Sequence, residues 1–179
     1  MVLEQVREIV IARCKGHEYD LDFHIQPVVK YAKLLARKLN ADEEVVEIAA
    51  WLHDISRIGR IDYEHHVTSA AEAEKILAGM GYPKEKISKV KHCILAHRSS
   101  NSIPRETVEA ECVASADAMS HIDNVPFLFY IAFEVKKLGI KDGEAWVREK
   151  IERSWNKLMP EAKEIIAERY ENWKKALED

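Results

Sequence analysis

Asn40-Ala-Asp-Glu-Glu-Val-Val-Glu-Ile-Ala-Ala-Trp-Leu-His53-Asp54 is the stretch on which the reading of this chain turns. Asn40 followed by Glu43 looks like a helix N-terminus. The helix it opens carries Val46, Ala49 and Ala50 along one face and runs into His53. Adjacent His53 and Asp54 offer one neutral nitrogen ligand and one anionic oxygen ligand from the same turn of backbone. The dipeptide alone is common by chance. Its company gives it weight: His24 before it, His66 and His97 after it, and Asp117 further on, each on what reads as the apolar stripe of a helix.

Outward from that stretch, helical periodicity appears almost everywhere and strand alternation almost nowhere. Val2, Val6, Ile9 and Val10 mark a first short helix. His24, Val28, Tyr31 and Leu35 stripe a second, with Pro27 in its first turn, where a missing N–H is tolerated. Ile55 to Glu64 has no period and reads as a loop. A helix from about His66 carries Ala70, Ala73 and Leu77 on one face and is stopped by Gly79, Gly81 and Pro83. Ile87, Val90, Ile94 and His97 stripe the next, residues 98–104 are turn-like, and Ala110, Val113, Ala114 and Asp117 stripe another, which Asn124-Val125-Pro126 interrupts or ends. The tail from Asp142 to Asp179 is charged and amphipathic, and Pro160 begins a final helix. This tail is expected to pack on the core, with a dimer surface as the alternative.

The 179 residues fit one all-α domain spanning residues 1–179, a helical bundle with its motifs in about 20–135 and a helical extension over about 142–179. Hydrophobic residues make up 47% and charged residues 32%, with a formal net charge of −4. A packed globule is expected, and stable nucleic-acid binding is not. Cys14, Cys93 and Cys112 are scattered and odd in number, which argues against a disulfide framework or thiolate zinc site and suggests the cytoplasm. No signal-peptide pattern and no apolar run of membrane-spanning length is present.

Several ligand-type side chains thus project inward from separate helices. A buried carboxylate is expensive unless paired or bound to a metal, and a metal shared by Asp54 and Asp117 would answer that cost for both. Taken singly, an inward histidine is more often a hydrogen-bonded core residue; the bland reading would need several such exceptions at once. His92 falls on the side opposite Val90 and should face solvent, His65 lies off the stripe of His66, and His17 sits in a turn. His121 falls just beyond Asp117, at the rim of the site.

The pattern resembles the HD-domain metal-dependent phosphohydrolases. The match runs through His24, His53-Asp54 and Asp117 in family order, with supporting likeness in His66-Val-Thr-Ser-Ala, Ile94-Leu-Ala-His97 and Ala114-Ser-Ala-Asp117-Ala. The resemblance implies a fold of the HD-domain type in which His24, His53, Asp54 and Asp117 hold one divalent metal. In some branches extra histidines hold a second metal, with the aspartate of the pair bridging both; His66 and His97 match those positions by location. Where the family commonly continues His-Asp with Ile-Gly-Lys, this chain has Ile55-Ser56-Arg57. Gly81-Tyr82-Pro83 looks like a signature of the cyclic-dinucleotide phosphodiesterases in this superfamily, but it precedes His97 and reads as a helix stop.

Mixed imidazole and carboxylate ligands suit Mn, Fe, Co, Ni or Zn, or Mg, one or two per chain. Such an ion activates water and polarises a phosphoryl oxygen. Asp54 can orient that water. Arg57 and Arg98, with Arg60, lie in loops after ligand positions and can clamp phosphate oxygens, a solvated surface charge being the alternative for each. Asp123 and His121 are further candidates for proton transfer or substrate contact. The substrate expected is a nucleotide or other small phosphorylated metabolite, the nucleotide coming from the resemblance; no P-loop or dinucleotide-binding glycine motif is present. A non-catalytic metal or nucleotide sensor, a di-iron oxygenase and a purely structural bundle are the alternatives, and a homodimer is a further expectation.

Overall fold

The computed structural model describes residues 1–60, 62–98 and 103–177, and among these there are helices and no strands. The helices are α1 (Val2–Arg13), α2 (Glu18–Asp20), α3 (Gln26–Leu39), α4 (Glu43–Leu52), α5 (His65–Gly79), α6 (Lys84–Ala96), α7 (Val108–Asp123), α8 (Val125–Tyr130), α9 (Ile140–Lys157) and α10 (Pro160–Ala176). The fold is an all-α single domain organised around α7, which packs against α3, α4, α6, α9 and α10.

α7 is buried along nearly its whole length, from Cys112 to Ile122 without a break. Small residues at Ala110, Ala114, Ala116, Ala118 and Ser120 let neighbouring helices approach on all sides. Thr107 caps its N-terminus, the hydroxyl accepting from Ala110 N–H at 3.2 Å. The tail does pack on the core: Val147 and Ile151 of α9 and Ala162 and Ile166 of α10 are buried there.

One helix boundary differs from the sequence expectation. Asn40 does not open α4; it closes α3 in the left-handed conformation at φ 53°. Asp42 caps α4 instead, its carboxylate accepting from Val45 N–H at 3.2 Å. Both residue types serve either end of a helix, so the composition of a short junction does not order them. Pro27 does lie in the first turn of α3, but that helix does not begin freely. α2 runs into a π-helical turn, Leu21–Ile25, which runs into α3. The π turn shifts the backbone bonding by one residue just before the proline, and His24 is carried on it, buried.

The helix stop read at Gly79 to Pro83 is present, with Gly81 at φ 70° and Pro83 as the N-cap of α6. α7 ends at Asn124, and Pro126 lies in the first turn of α8. The segment after His53-Asp54 is more ordered than a plain loop. A 3₁₀ turn, Ile55–Arg57, is tied to α5 through Ser56, whose hydroxyl lies 2.8 Å from Thr68 Oγ1 and 2.9 Å from Ser69 Oγ. Of the turn-like residues 98–104, 99–102 lie outside the described residues.

Candidate metal centre

The π turn, the end of α4, the start of α5, the end of α6 and the middle of α7 meet at one point, and each brings a ligand-type side chain. His24, His53, Asp54, His97 and Asp117 are all buried. The ligand atoms of His24, His53 and Asp117 lie within 4.8 Å of one another, and so do those of Asp54, His65 and His97. Asp54 joins the two sets. Its Oδ2 is 3.1 Å from His24 Nε2 and 3.5 Å from His53 Nε2, while its Oδ1 faces His65 Nε2 at 3.5 Å and His97 Nε2 at 3.8 Å.

The outer hydrogen bonds fix the imidazole tautomers. A carbonyl oxygen can only accept, so His53 Nδ1–H donates to Ala50 O at 2.8 Å, His97 Nδ1–H to Ile94 O at 2.6 Å, and His65 Nδ1–H to Asp62 O at 3.1 Å. Ser120 Oγ donates to Asp117 O at 2.7 Å and therefore accepts from His24 Nδ1–H at 3.2 Å. All four rings then turn an Nε2 lone pair toward the centre. His24 Nε2 and His53 Nε2 are only 3.1 Å apart, and Asp54 Oδ1 is buried with no hydrogen-bond donor. Converging lone pairs around an undonated carboxylate oxygen repel unless a cation lies among them. The donor set therefore fits a divalent metal, with the backbone and Ser120 holding the rings from behind.

Electrostatics keep the ligands in binding form. Burial lowers the pKa of His53 and takes that of His97 to about 3, so both are neutral at neutral pH. Burial pushes both carboxyls up, but the surrounding charges outweigh it. Arg57 holds Asp54 well below its usual range, and Lys157 does the same for Asp117.

The arrangement changes the expected ligand list at one place. His66 was expected beside His97, but its Nε2 is 3.9 Å from Glu64 and its buried Nδ1 has no partner. His65 is the residue that reaches Asp54. His66 does lie on the buried stripe of α5 with Ser69, Ala70 and Ala73. The helix period thus identified the buried face, but His65, at the first position of α5, is turned toward Asp54 by the bond to Asp62 O. Substituting His65 by alanine is expected to remove the second equivalent in a Mn²⁺ titration of the folded protein. His66→Ala is expected to leave the stoichiometry at its wild-type value.

The arginines separate. Arg57 Nη1 is 3.3 Å from Asp54 Oδ2. Arg98, a candidate phosphate clamp, is not brought into the cluster: its guanidinium donates to Tyr63 O and lies 3.9 Å from Glu64. Arg60 is exposed and bonds back to Ser56 O. Asp123 pairs with Arg169 of α10. His121 is buried rather than at a rim, stacked on His24 with ring centroids 5.2 Å apart and with Nε2 3.7 Å from Asp117 Oδ1. His92 is half-buried and accepts from Glu106 N–H at 3.2 Å.

The sequence reading missed Lys157. Its side chain is 3% exposed, and its ammonium pairs with Asp117 Oδ2 from the C-terminal end of α9. One turn earlier, Ser154 Oγ lies 3.4 Å from His121 Nδ1. In sequence both belong to a charged amphipathic tail, where a lysine is ordinarily solvated, and no local signal marked either.

The HD domain model matches residues 22–122, more than half of the chain, and the chain belongs to that family. The family is one of metal-dependent phosphohydrolases. Two crystal structures of Bacillus subtilis YpgQ are similar over nearly the whole chain. One, of YpgQ in complex with ADP, is 24% identical and covers 98% of this chain and 93% of that one, with a TM-score of 0.71. The other, of YpgQ, is 22% identical with the same coverage and TM-score. None of the curated proteins compared matches the chain.

Proposed function

We propose that this protein is a metal-dependent phosphohydrolase that cleaves a phosphate ester or phosphoanhydride of a small phosphorylated metabolite, a nucleotide in the first instance. The observation that carries the reading is the convergence of four imidazole lone pairs on the undonated Oδ1 side and the Oδ2 side of Asp54. His24, His53, Asp54 and Asp117 would hold one ion, and Asp54, His65 and His97 a second. When bound, the metal polarises a phosphoryl oxygen and lowers the pKa of a coordinated water. Asp54 orients the attacking water. Arg57 neutralises Asp54 and offers its remaining N–H groups to phosphate oxygens.

A nucleotide is favoured by two observations. The structurally similar YpgQ was crystallised with ADP. Beside His24, an aromatic group continues outward: Phe127 stacks on His24, Phe23 and Tyr130, with centroids 6.2–6.3 Å apart. Phe23 is 50% exposed and can receive a base. The di-iron oxygenase reading draws on the same two ligand sets. Arg57 counts against it, since a guanidinium with N–H groups left over beside the centre answers an anionic substrate. No helix among the described residues is long and apolar enough to cross a membrane. The three free, buried cysteines suit the cytoplasm.

The test is phosphate and pyrophosphate release from a panel of nucleotides and sugar phosphates with Mn²⁺ added. Metal-dependent release from nucleotides is expected. No release across the panel from protein shown to hold metal would move the assignment to a sensor.

A further inference from the structure

Lys150, Ser154 and Lys157 recur at four and three residues along α9 and so share one face of it. Two of the three already touch the centre, Ser154 through His121 and Lys157 through Asp117. Lys150 stands one turn further on along the same face, half-buried. All three lie beyond the family-matched residues 22–122.

The charges at this point do not balance. Arg57 is set against Asp54 and Lys157 against Asp117. Lys150 is left over: no carboxylate lies within 4.0 Å of it among the described residues. Its charged surroundings are Asp117 and His121 of α7, Arg57 of the 3₁₀ turn, and Lys157 and Arg153 of α9. Desolvation lowers its pKa to about 8, with Lys157 and Arg57 adding to the effect against the pull of Asp117. At neutral pH it remains an ammonium, held among other cations. A half-buried cation set among other cations and without a carboxylate is a cost to the fold unless an anion is brought to it.

We propose that Lys150 is a phosphate-binding residue of the centre, supplied by the helical extension and receiving an anionic phosphoryl oxygen of the substrate. The proposal rests on the phosphohydrolase reading for the identity of that anion. It divides the labour: the family-matched helices hold the metal ligands, and α9 supplies the positive end for the leaving or retained phosphate. Lys157 is committed to Asp117, whereas Lys150 has no carboxylate partner among the described residues and can meet the ligand.

The experiment is calorimetric titration of inorganic phosphate into the full chain, once metal-free and once with Mg²⁺, comparing wild type with Lys150→Met and Lys150→Arg. Losing one charge-assisted hydrogen bond predicts weakening by about tenfold or more in Lys150→Met. Lys150→Arg is expected to stay within about threefold of wild type, since the charge is kept. A thermal melt adds a readout that a merely structural role would move the other way: Lys150→Met should melt at or above the wild-type temperature, because it relieves an unpaired cation. Equal phosphate affinity in wild type and Lys150→Met, or no binding by wild type in either condition, would overturn the proposal. Because binding is read without turnover, the two claims fail separately. Weakened binding in a protein that hydrolyses nothing sinks the hydrolase and spares Lys150. Hydrolysis with an unchanged KM in Lys150→Met does the reverse.

Discussion

Asp54→Ala is expected to abolish metal-dependent phosphate release, with a fall of roughly a thousandfold or more, the scale of losing a preorganised contact in a dry site. Asp54 faces both ligand sets, with Oδ2 toward His24 and His53 and Oδ1 toward His65 and His97. Its removal takes an anionic ligand from the centre and leaves Arg57 without its carboxylate. Metal content, read by elemental analysis after dialysis, should fall with the activity, while the far-ultraviolet helical signal is retained. Asp54→Asn keeps the shape but not the charge and should resemble alanine in activity. Full activity in either variant, measured at saturating Mn²⁺, would remove Asp54 from the chemistry.

Lys157→Met carries the second large effect, on stability. The ammonium of Lys157 and the carboxylate of Asp117 are both buried, with side-chain exposures of 3% and 10%. Breaking a buried pair from one side costs about 3–5 kcal/mol, because the partner charge stays behind. Metal-free Lys157→Met should therefore melt on the order of 10 °C below wild type. Metal ions should restore much of this, since a cation at the centre answers the same carboxylate. In wild type Lys157 already does so and competes for Oδ2. The rise in melting temperature on adding Mn²⁺ should thus be larger in the variant than in wild type. Equal rises in the two proteins, or no loss of stability in the metal-free variant, would show that the pair does not carry the charge of Asp117.

The all-helical fold and most of the buried residues could be read from the sequence because each is a local signal. Period 3.6 places His24, His66, His97 and Asp117 on buried faces, and all four are buried. What the period cannot give is direction within a buried face. His65 and His66 are neighbours at the first turn of α5, and the choice between them is made by Asp62 O and by the fold of the 3₁₀ turn against Thr68 and Ser69. The junction at Asn40 is ambiguous for a different reason: Asn and Asp close and open helices by similar polar chemistry, and only backbone conformation separates Asn40 from Asp42. α7 reads as a helix with one apolar stripe, yet its other faces are buried too, because α9 and α10 return to cover it. The same return explains Lys157. Its partner is forty residues away in the chain, and no local pattern marks a lysine that will be buried by a helix yet to fold back.

The central claim is that the converging imidazoles and Asp54 form a metal centre that hydrolyses phosphate. Its most direct test is the initial rate of phosphate or pyrophosphate release from the nucleotide panel, measured as Mn²⁺ is titrated into metal-free protein alongside metal bound per chain. The expected result is a rate that rises with occupancy, reaches a plateau when the centre is full, and is missing in Asp54→Ala. A rate that stays at background while the centre fills would contradict it.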